Sequence, residues 1–394
     1  VVRFKKMSAI LVIVLIMGLL VAGCGGTKTE TDKTTAETKE PYKIGAIFDI
    51  SGKGSSLGIP ERDTVNMIID EVNKAGGING HQIELVMLDN ESDETKSALA
   101  ARKLIEQGVL AIIGSSQSGT TLSTLEAIQK AEIPLVSAAA SIKIVQPIAD
   151  RKWVFKTAHS DALVTEKIIT YLKSKAITKV AFASMNNAYG DSGLKEFTAA
   201  AAKGGVTIVA KEKFAPEDTD MTPQLTNINR AKPEAVICWA IPPSASSFTA
   251  NYRTLDLKMP LIHSHGIGNK KFIELAGDAA NGVIFPVGKL LVAEGLADTD
   301  PQKAVLVDYA KKFEAKYGAR NTFGGHAWDA LKVVLAALEK AGPDKVKIRD
   351  EIEKTQNFTG ISGVFNMSPT DHNGLALDSM VIVEIDKGKW VLAK

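Results

Sequence analysis

From Tyr42 onward the chain alternates short apolar runs with stretches of helical period, and it runs through that order twice. The first set of apolar runs is Ile44–Ile50, Ile83–Leu88, Leu110–Ile113 and Ile133–Val136. The second is Val180–Ser184, Val206–Ala210, Ala235–Ile241 and Leu261–His263, displaced by about 125 to 135 residues. Short continuous apolar runs flanked by helices are strands buried on both faces, and their alternation builds a parallel sheet with helices on each side. In the first helix Val65, Ile68, Ile69 and Val72 fall at i, i+3, i+4 and i+7, one stripe that must be buried. Gly76 and Gly77 then provide the left-handed turn that stops it. Ser160 caps a helix carrying Val164, Ile168 and Leu172; a late helix carries Leu331, Val334, Leu335 and Leu338. A final pair of strands turns at "DKGK". No sequence repeat accompanies the repeated order, so the expectation is an α/β chain of two lobes in series, which 394 residues can supply.

The ends and the charge balance say where such a body works. With 47 basic and 45 acidic residues interspersed, the formal charge is +2, not the basic face that nucleic acid requires. Arg3, Lys5 and Lys6 precede an apolar run from Met7 to Ala22, broken only by Ser8 and Gly18, and then "VAGC". Residues 1–23 read as an export signal; an uncleaved membrane span is the alternative. Val21-Ala22-Gly23-Cys24 resembles a bacterial lipobox, which would make a lipid-carrying Cys24 the mature N-terminus, outside the cytoplasm. Residues 24–41 are polar and threonine-rich, a flexible tether that buries too little to fold. Cys238, inside the apolar "AVICWAI", is then a core residue and no intrachain disulfide is available.

Three loops after strands carry the chemistry. "FDISGKGSSLG" places Gly52, Gly54 and Gly58 between a strand and a helix. The spacing is GxGxxxG, and the acidic Asp89 follows about thirty residues on, where a dinucleotide fingerprint wants GxGxxG and about twenty. The reading is a turn whose glycines allow close backbone approach, with no cofactor. "IIGSSQSGTT", Ile112 to Thr121, crowds five hydroxyls at a helix start, where free amides favour an anion. It has no G-x-S-x-G elbow. "PLVSAAASIKI", Pro134 to Ile144, is an open alanine-rich turn flanked by Ser137 and Ser141. In an open α/β sheet these loops share one rim beyond the strand ends.

The run "EVNKAGGINGHQIELVMLDNESDETKSALAARKLIEQGVLAIIG" resembles the leucine/isoleucine/valine-binding family of type I periplasmic binding proteins. The similarity continues through "IPLVSAAAS", "NNAYGDSG", "KPEAVICWA", "NKKFIELAG" and "HAWDAL", across residues 42–394. It implies two doubly wound lobes with mainly parallel sheets, joined by three crossovers, with a ligand cleft between them. Lobe one would be 42–158 plus 289–378; lobe two would be 159–288 plus 379–394. The resemblance implies a non-enzymatic monomer that closes on a small carboxylate and delivers it to an ABC permease. The contacts it implies are Ser118, Thr120 and the stretch Ala139–Ser141 for the carboxylate, with Tyr189 on the opposite side and Trp328 at the cleft wall.

One position departs from the pattern. Where the amino-acid binders carry a glutamate for the α-ammonium, this chain has His265, a poor partner for a cation. The expected ligand is therefore an aromatic or branched acid without that ammonium, with His265 and His326 as donors; Asp329 offers a substitute carboxylate if an amino acid binds. His263 and His265, two apart on a strand, would point to one face, with His326 as a third metal ligand. No carboxylate or cysteine cluster accompanies them in the sequence, so hydrogen bonding is preferred and no metal is expected. His81, His159 and His372 fall in turn-like segments with no assigned role. A sensing receptor on the same fold and an exported enzyme are the rival readings.

Overall fold

The computed structural model describes residues 39–393; the signal segment, Cys24 and most of the tether lie outside them. The first sheet contains β1 (Tyr42–Phe48), β2 (Ile83–Asp89), β3 (Ala111–Gly114), β4 (Leu135–Ser137) and β5 (Val154–Lys156), in the order β2-β1-β3-β4-β5. All its pairings are parallel, with Ile44 beside Ala111 and Leu135 beside Val154. In β1 successive side chains alternate between the two faces and nearly all are apolar. Ile44, Ala46 and Phe48 meet the helices Ser55–Lys74 and Thr322–Ala341; Ile47 meets Glu94–Glu106 and Leu125–Ala131. Val65, Ile68 and Ile69 of the expected stripe on the first of these helices are buried and Val72 is half-buried; on the second, Leu331, Val334, Leu335 and Leu338 are all buried.

The second sheet contains β6 (Lys179–Met185), β7 (Thr207–Phe214), β8 (Ala235–Trp239), β9 (Leu261–His263) and β10 (Ile284–Gly288). A small hairpin, β11 (Phe358–Thr359) with β12 (Val364–Phe365), stands apart, its Phe365 in the first lobe's core. Then β13 (Met380–Asp386) and β14 (Lys389–Leu392) return to the second sheet, whose order is β14-β13-β10-β9-β8-β6-β7. Only β13 runs against the rest, antiparallel to both β10 and β14. The chain thus passes between the sheets three times: after β5, after β10 and before β13. Ser160 caps the Asp161–Ser174 helix by accepting from Leu163 N at 3.3 Å. Among the described residues no helix is long and apolar enough to cross a membrane.

Besides the small β11–β12 hairpin, two strands of the large sheets have no counterpart among the expected runs, and both lead into a crossing. β5 is three residues long and ends in Lys156, fully buried, so it does not look apolar. β10 contains Pro286, a residue rare in interior strands.

Candidate functional site

The rim of the first sheet is held by a buried carboxylate that sequence reading passed over. Asp49, just after β1, accepts from Asn90 Nδ2 at 2.8 Å, Ser115 Oγ at 3.1 Å and Gln117 Nε2 at 2.5 Å. Its own backbone N–H donates to Ser116 Oγ at 3.0 Å, and the Ser116 hydroxyl donates to Glu61 Oε2. Burial pushes the carboxyls of both Asp49 and Glu61 above their usual range, furthest for Glu61. The glycine turn of the opening loop serves this packing. Gly52 has φ +78°, and a side chain there would strike Glu91 O; one at Gly58 would strike the Asp49 backbone. Asp89 collects the N–H groups of Ile50, Ser51 and Glu91, a loop clamp rather than a ribose contact.

Above this frame lies a small cavity between the two lobes. Lobe one contributes Leu57, the turn Ser116–Ser118, the alanines Ala138–Ala140 and, from the helix Thr322–Ala341, Phe323 and His326. The other lobe contributes Tyr189, Ile241, His265 and Gly266, and Ala158 comes from the crossing after β5. A wider polar cleft shares Gln117, Ser118, Tyr189 and Ile241 with it. Of the residues singled out from sequence, Ser118, Ala139, Tyr189, His265 and His326 line the cavity. Thr120, Ser141 and Trp328 do not. Thr120 Oγ1 turns to Ser115 Oγ (2.7 Å) and Asp49, and Ser141 Oγ donates across the lobes to Ser192 Oγ at 2.8 Å. Trp328 is half-buried on the far side of its helix, stacked on Phe358 with ring centroids 6.2 Å apart and with Lys332 Nζ over its ring.

The cavity's polar groups are neutral or donors. Ser118 Oγ accepts from Ser141 N at 3.2 Å, which leaves the Ser118 proton free. Tyr189 donates to Ser264 Oγ at 2.9 Å; burial, then the charge of Asp161, raises its pKa. Burial holds the imidazoles of His265 and His326 well below their usual range, helped by their histidine neighbours and by Lys156. Lys156 is the nearby lysine, and burial lowers its pKa to about 7. It is fully buried, its Nζ donates to Ala158 O, and Asp161 opposes the shift. No Asp, Glu, Lys or Arg is among the described lining residues.

The profile of the periplasmic binding protein family matches residues 41–389. The chain belongs to the periplasmic binding protein family. The Leu/Ile/Val-binding protein BraC3 of Rhizobium johnstonii is 25% identical over 300 residues, 76% of this chain and 79% of its own length. An extracellular ligand-binding receptor from Rhodopseudomonas palustris HaA2 superposes with TM-score 0.84 at 32% identity, over 90% of this chain and 99% of that one. The isoleucine complex of the branched-chain amino acid transporter substrate binding protein LivJ from Streptococcus pneumoniae gives TM-score 0.79 at 26% identity, over 89% and 97%.

In this periplasmic binding protein three expectations from sequence need correction. His263 does not face the cavity with His265. β9 ends at His263, which sits in the core with Nε2 2.9 Å from Thr249 Oγ1, and the chain then turns. Asp329 is no ammonium partner: its oxygens accept from Ile361 N (2.6 Å) and Ser362 N (2.7 Å), pinning the turn of the β11–β12 hairpin. His159 does have a place, buried with its ring centroid 6.0 Å from that of His326. Among the described residues no set of three or more His, Cys, Asp or Glu is placed to hold a metal ion. Leu57, Ile241 and Phe323 complete the walls; nothing in their local pattern separates them from core residues.

Proposed function

We propose that this chain is the solute-binding component of an ABC importer, a lipoprotein anchored through Cys24 outside the cytoplasm, that captures a small carboxylate lacking an α-ammonium. It acts as a monomer and hands its ligand to a permease without turning it over. The names of its relatives support the transport role. The ligand class is carried by one observation: the cavity presents a free hydroxyl proton at Ser118, neutral imidazoles and a buried Lys156 behind Ala158, with no acid on its walls. An ammonium would be desolvated there without a counter-charge, at a cost of several kcal/mol. An anion is answered by hydrogen-bond donors. Leu57, Ala138–Ala140, Ile241 and Phe323 provide apolar walls for a branched chain or a single ring.

In the proposed cycle the carboxylate docks on lobe one at Ser118 and the Ala139 turn. Tyr189, Ile241 and His265 of lobe two then close over it, and the permease reads the closed form. Calorimetric titration of protein unfolded, stripped of ligand and refolded tests this. Benzoate-type and branched aliphatic acids bind more tightly than leucine or isoleucine; tight leucine binding with no response to the acids overturns the reading.

A further inference from the structure

His326 lines the cavity from the second turn of the helix Thr322–Ala341. Thr157 Oγ1, at the first crossing, donates to its backbone O at 2.7 Å, which holds the helix but does not orient the ring. Among the described residues the ring has one hydrogen-bond partner, Ser362 Oγ, 2.7 Å from Nδ1. Phe323 and His159 meet it edge to face, with centroids 6.1 and 6.0 Å away.

Ser362 belongs to the turn between β11 and β12, and that turn is fixed from two sides. Asp329, one helical turn beyond His326 and fully buried, takes Ile361 N on Oδ1 at 2.6 Å and Ser362 N on Oδ2 at 2.7 Å. Gln302, at the start of the helix Lys303–Tyr317, donates from Nε2 to Gly360 O at 3.0 Å and Ile361 O at 3.2 Å. The fit is close: a side chain at Gly360 would come within 2.3 Å of Asp329 Oδ1, and one at Gly325 within 2.5 Å of Ile361 Cγ2. The Ser362 hydroxyl therefore reaches His326 from a turn that Asp329 and Gln302 place.

We infer that Asp329 is a positioning residue of the ligand site: through the 361–362 turn it sets Ser362 against His326 Nδ1 and so fixes how that imidazole is presented to the ligand. This rests on the reading of the cavity as the ligand site, and not on which acid fills it. The grip needs both carboxylate oxygens as acceptors. A proton on either one turns a donor toward a backbone N–H, and the amide of an asparagine does the same. The two N–H bonds favour the ionised form, while burial, the larger influence, raises Asp329 to about 7, so the grip changes within the neutral range. The titratable side chain facing Asp329 from another element is Tyr309, its own pKa raised by burial first and also by the Asp329 charge. The hairpin meets Asp329 with Ile361 and Ser362, neither of them titratable, and His326 lies one turn back on its own helix.

The test uses the refolded, ligand-free full chain with benzoate, isocaproate and leucine as probes. For the tightest of the three, Asp329→Asn weakens binding about fivefold or more near pH 8. The gap from wild type closes to below about twofold near pH 6, where wild-type Asp329 is itself protonated. Comparing the two proteins at each pH cancels the titration of Lys156 and the cavity histidines, which both share. Ser362→Ala reproduces the gap, and adding Asp329→Asn to it weakens binding no further. A merely structural Asp329 would lower the melting temperature and leave affinity and its pH profile at wild type.

A second measurement needs neither an Asp329 variant nor a ligand, and it decides alone if no probe binds. In protein carrying nitrogen-15-labelled histidine, the His326 ring signals are assigned by their loss in His326→Gln. They move between about pH 8 and about pH 6, and the movement falls by more than half in Ser362→Ala. An Asp329→Asn gap that is absent, independent of pH or undiminished on the Ser362→Ala background overturns the inference and leaves the carboxylate reading standing. So do ring signals that move equally with and without the Ser362 hydroxyl. Leucine as the tightest probe overturns the carboxylate reading alone, and the positioning role then stands or falls by leucine's own gap.

Discussion

Ser118 and Thr120 stand two residues apart and face different ways. Ser118 takes a backbone N–H from Ser141 and keeps its own proton for the cavity, whereas Thr120 is folded back into the group of donors around Asp49. Removing the Ser118 hydroxyl therefore weakens ligand binding by about 1–3 kcal/mol. Thr120→Val leaves affinity close to wild type and lowers the melting temperature instead, because Asp49 loses a donor in a buried site. Calorimetry and thermal unfolding on the same two variants separate these outcomes. Lys156 and Asp329 show the limit of reading single residues. Each is charged in the sequence and buried in the fold: Lys156 beside Ala158 O and Asp161 on the turn that follows it, Asp329 against the remote 361–362 turn.

The Thr322–Ala341 helix serves core and cavity along one length. Its Leu331, Val334, Leu335 and Leu338 pack on the first sheet with the Ser55–Lys74 helix, and its N-terminal turns present Phe323 and His326. Leu335→Ala is expected to cost about 2–5 kcal/mol of folding stability while the folded fraction keeps its affinity, checked by urea unfolding followed by titration. Elements with strong periodicity, such as this helix and β1, were legible from the residues alone. So was the rim of loops after the strands, because small and hydroxyl residues cluster there. β5 and β10 were hidden by a buried lysine and a proline; the inward turn of Ser141 and Thr120 was hidden because hydroxyl direction is set by tertiary neighbours. Trp328 was misplaced for the opposite reason. An aromatic two residues beyond His326 on a helix points away from the cavity, toward Phe358.

Contacts between the lobes differ in depth, and the difference predicts which of them matter to closure. The Ser141–Ser192 hydroxyl pair is fully buried between the lobes. Lys53 and Glu217 meet at 3.1 Å with more than half of each side chain exposed. Lys53→Met changes affinity by less than about 1 kcal/mol, while Ser192→Ala exceeds that and couples to Ser141→Ala in a double-mutant cycle. Equal effects from both sites would contradict this ranking.

Proton uptake acts on the molecule as a whole. Burial holds His159 and His263 down to about 3. Between the ordinary value of 6.5 and that value the unfolded chain binds more protons, so each histidine's contribution to stability is lost as pH falls through this window. Asp329, raised to about 7 by burial, works in the opposite direction between 3.8 and 7. His263→Leu isolates one of these contributions. The stability gap between wild type and this variant narrows by roughly 1 kcal/mol per pH unit below 6, and a constant gap in denaturant titrations would refute the assignment.

Because β13 pairs with β10 and comes only after the whole 289–379 segment, the second sheet has an open edge for much of the chain's synthesis. An unpaired strand edge invites pairing with other chains. The newborn polypeptide is then most vulnerable to clumping late in translation rather than early, and a holding chaperone would be needed until its final strands emerge.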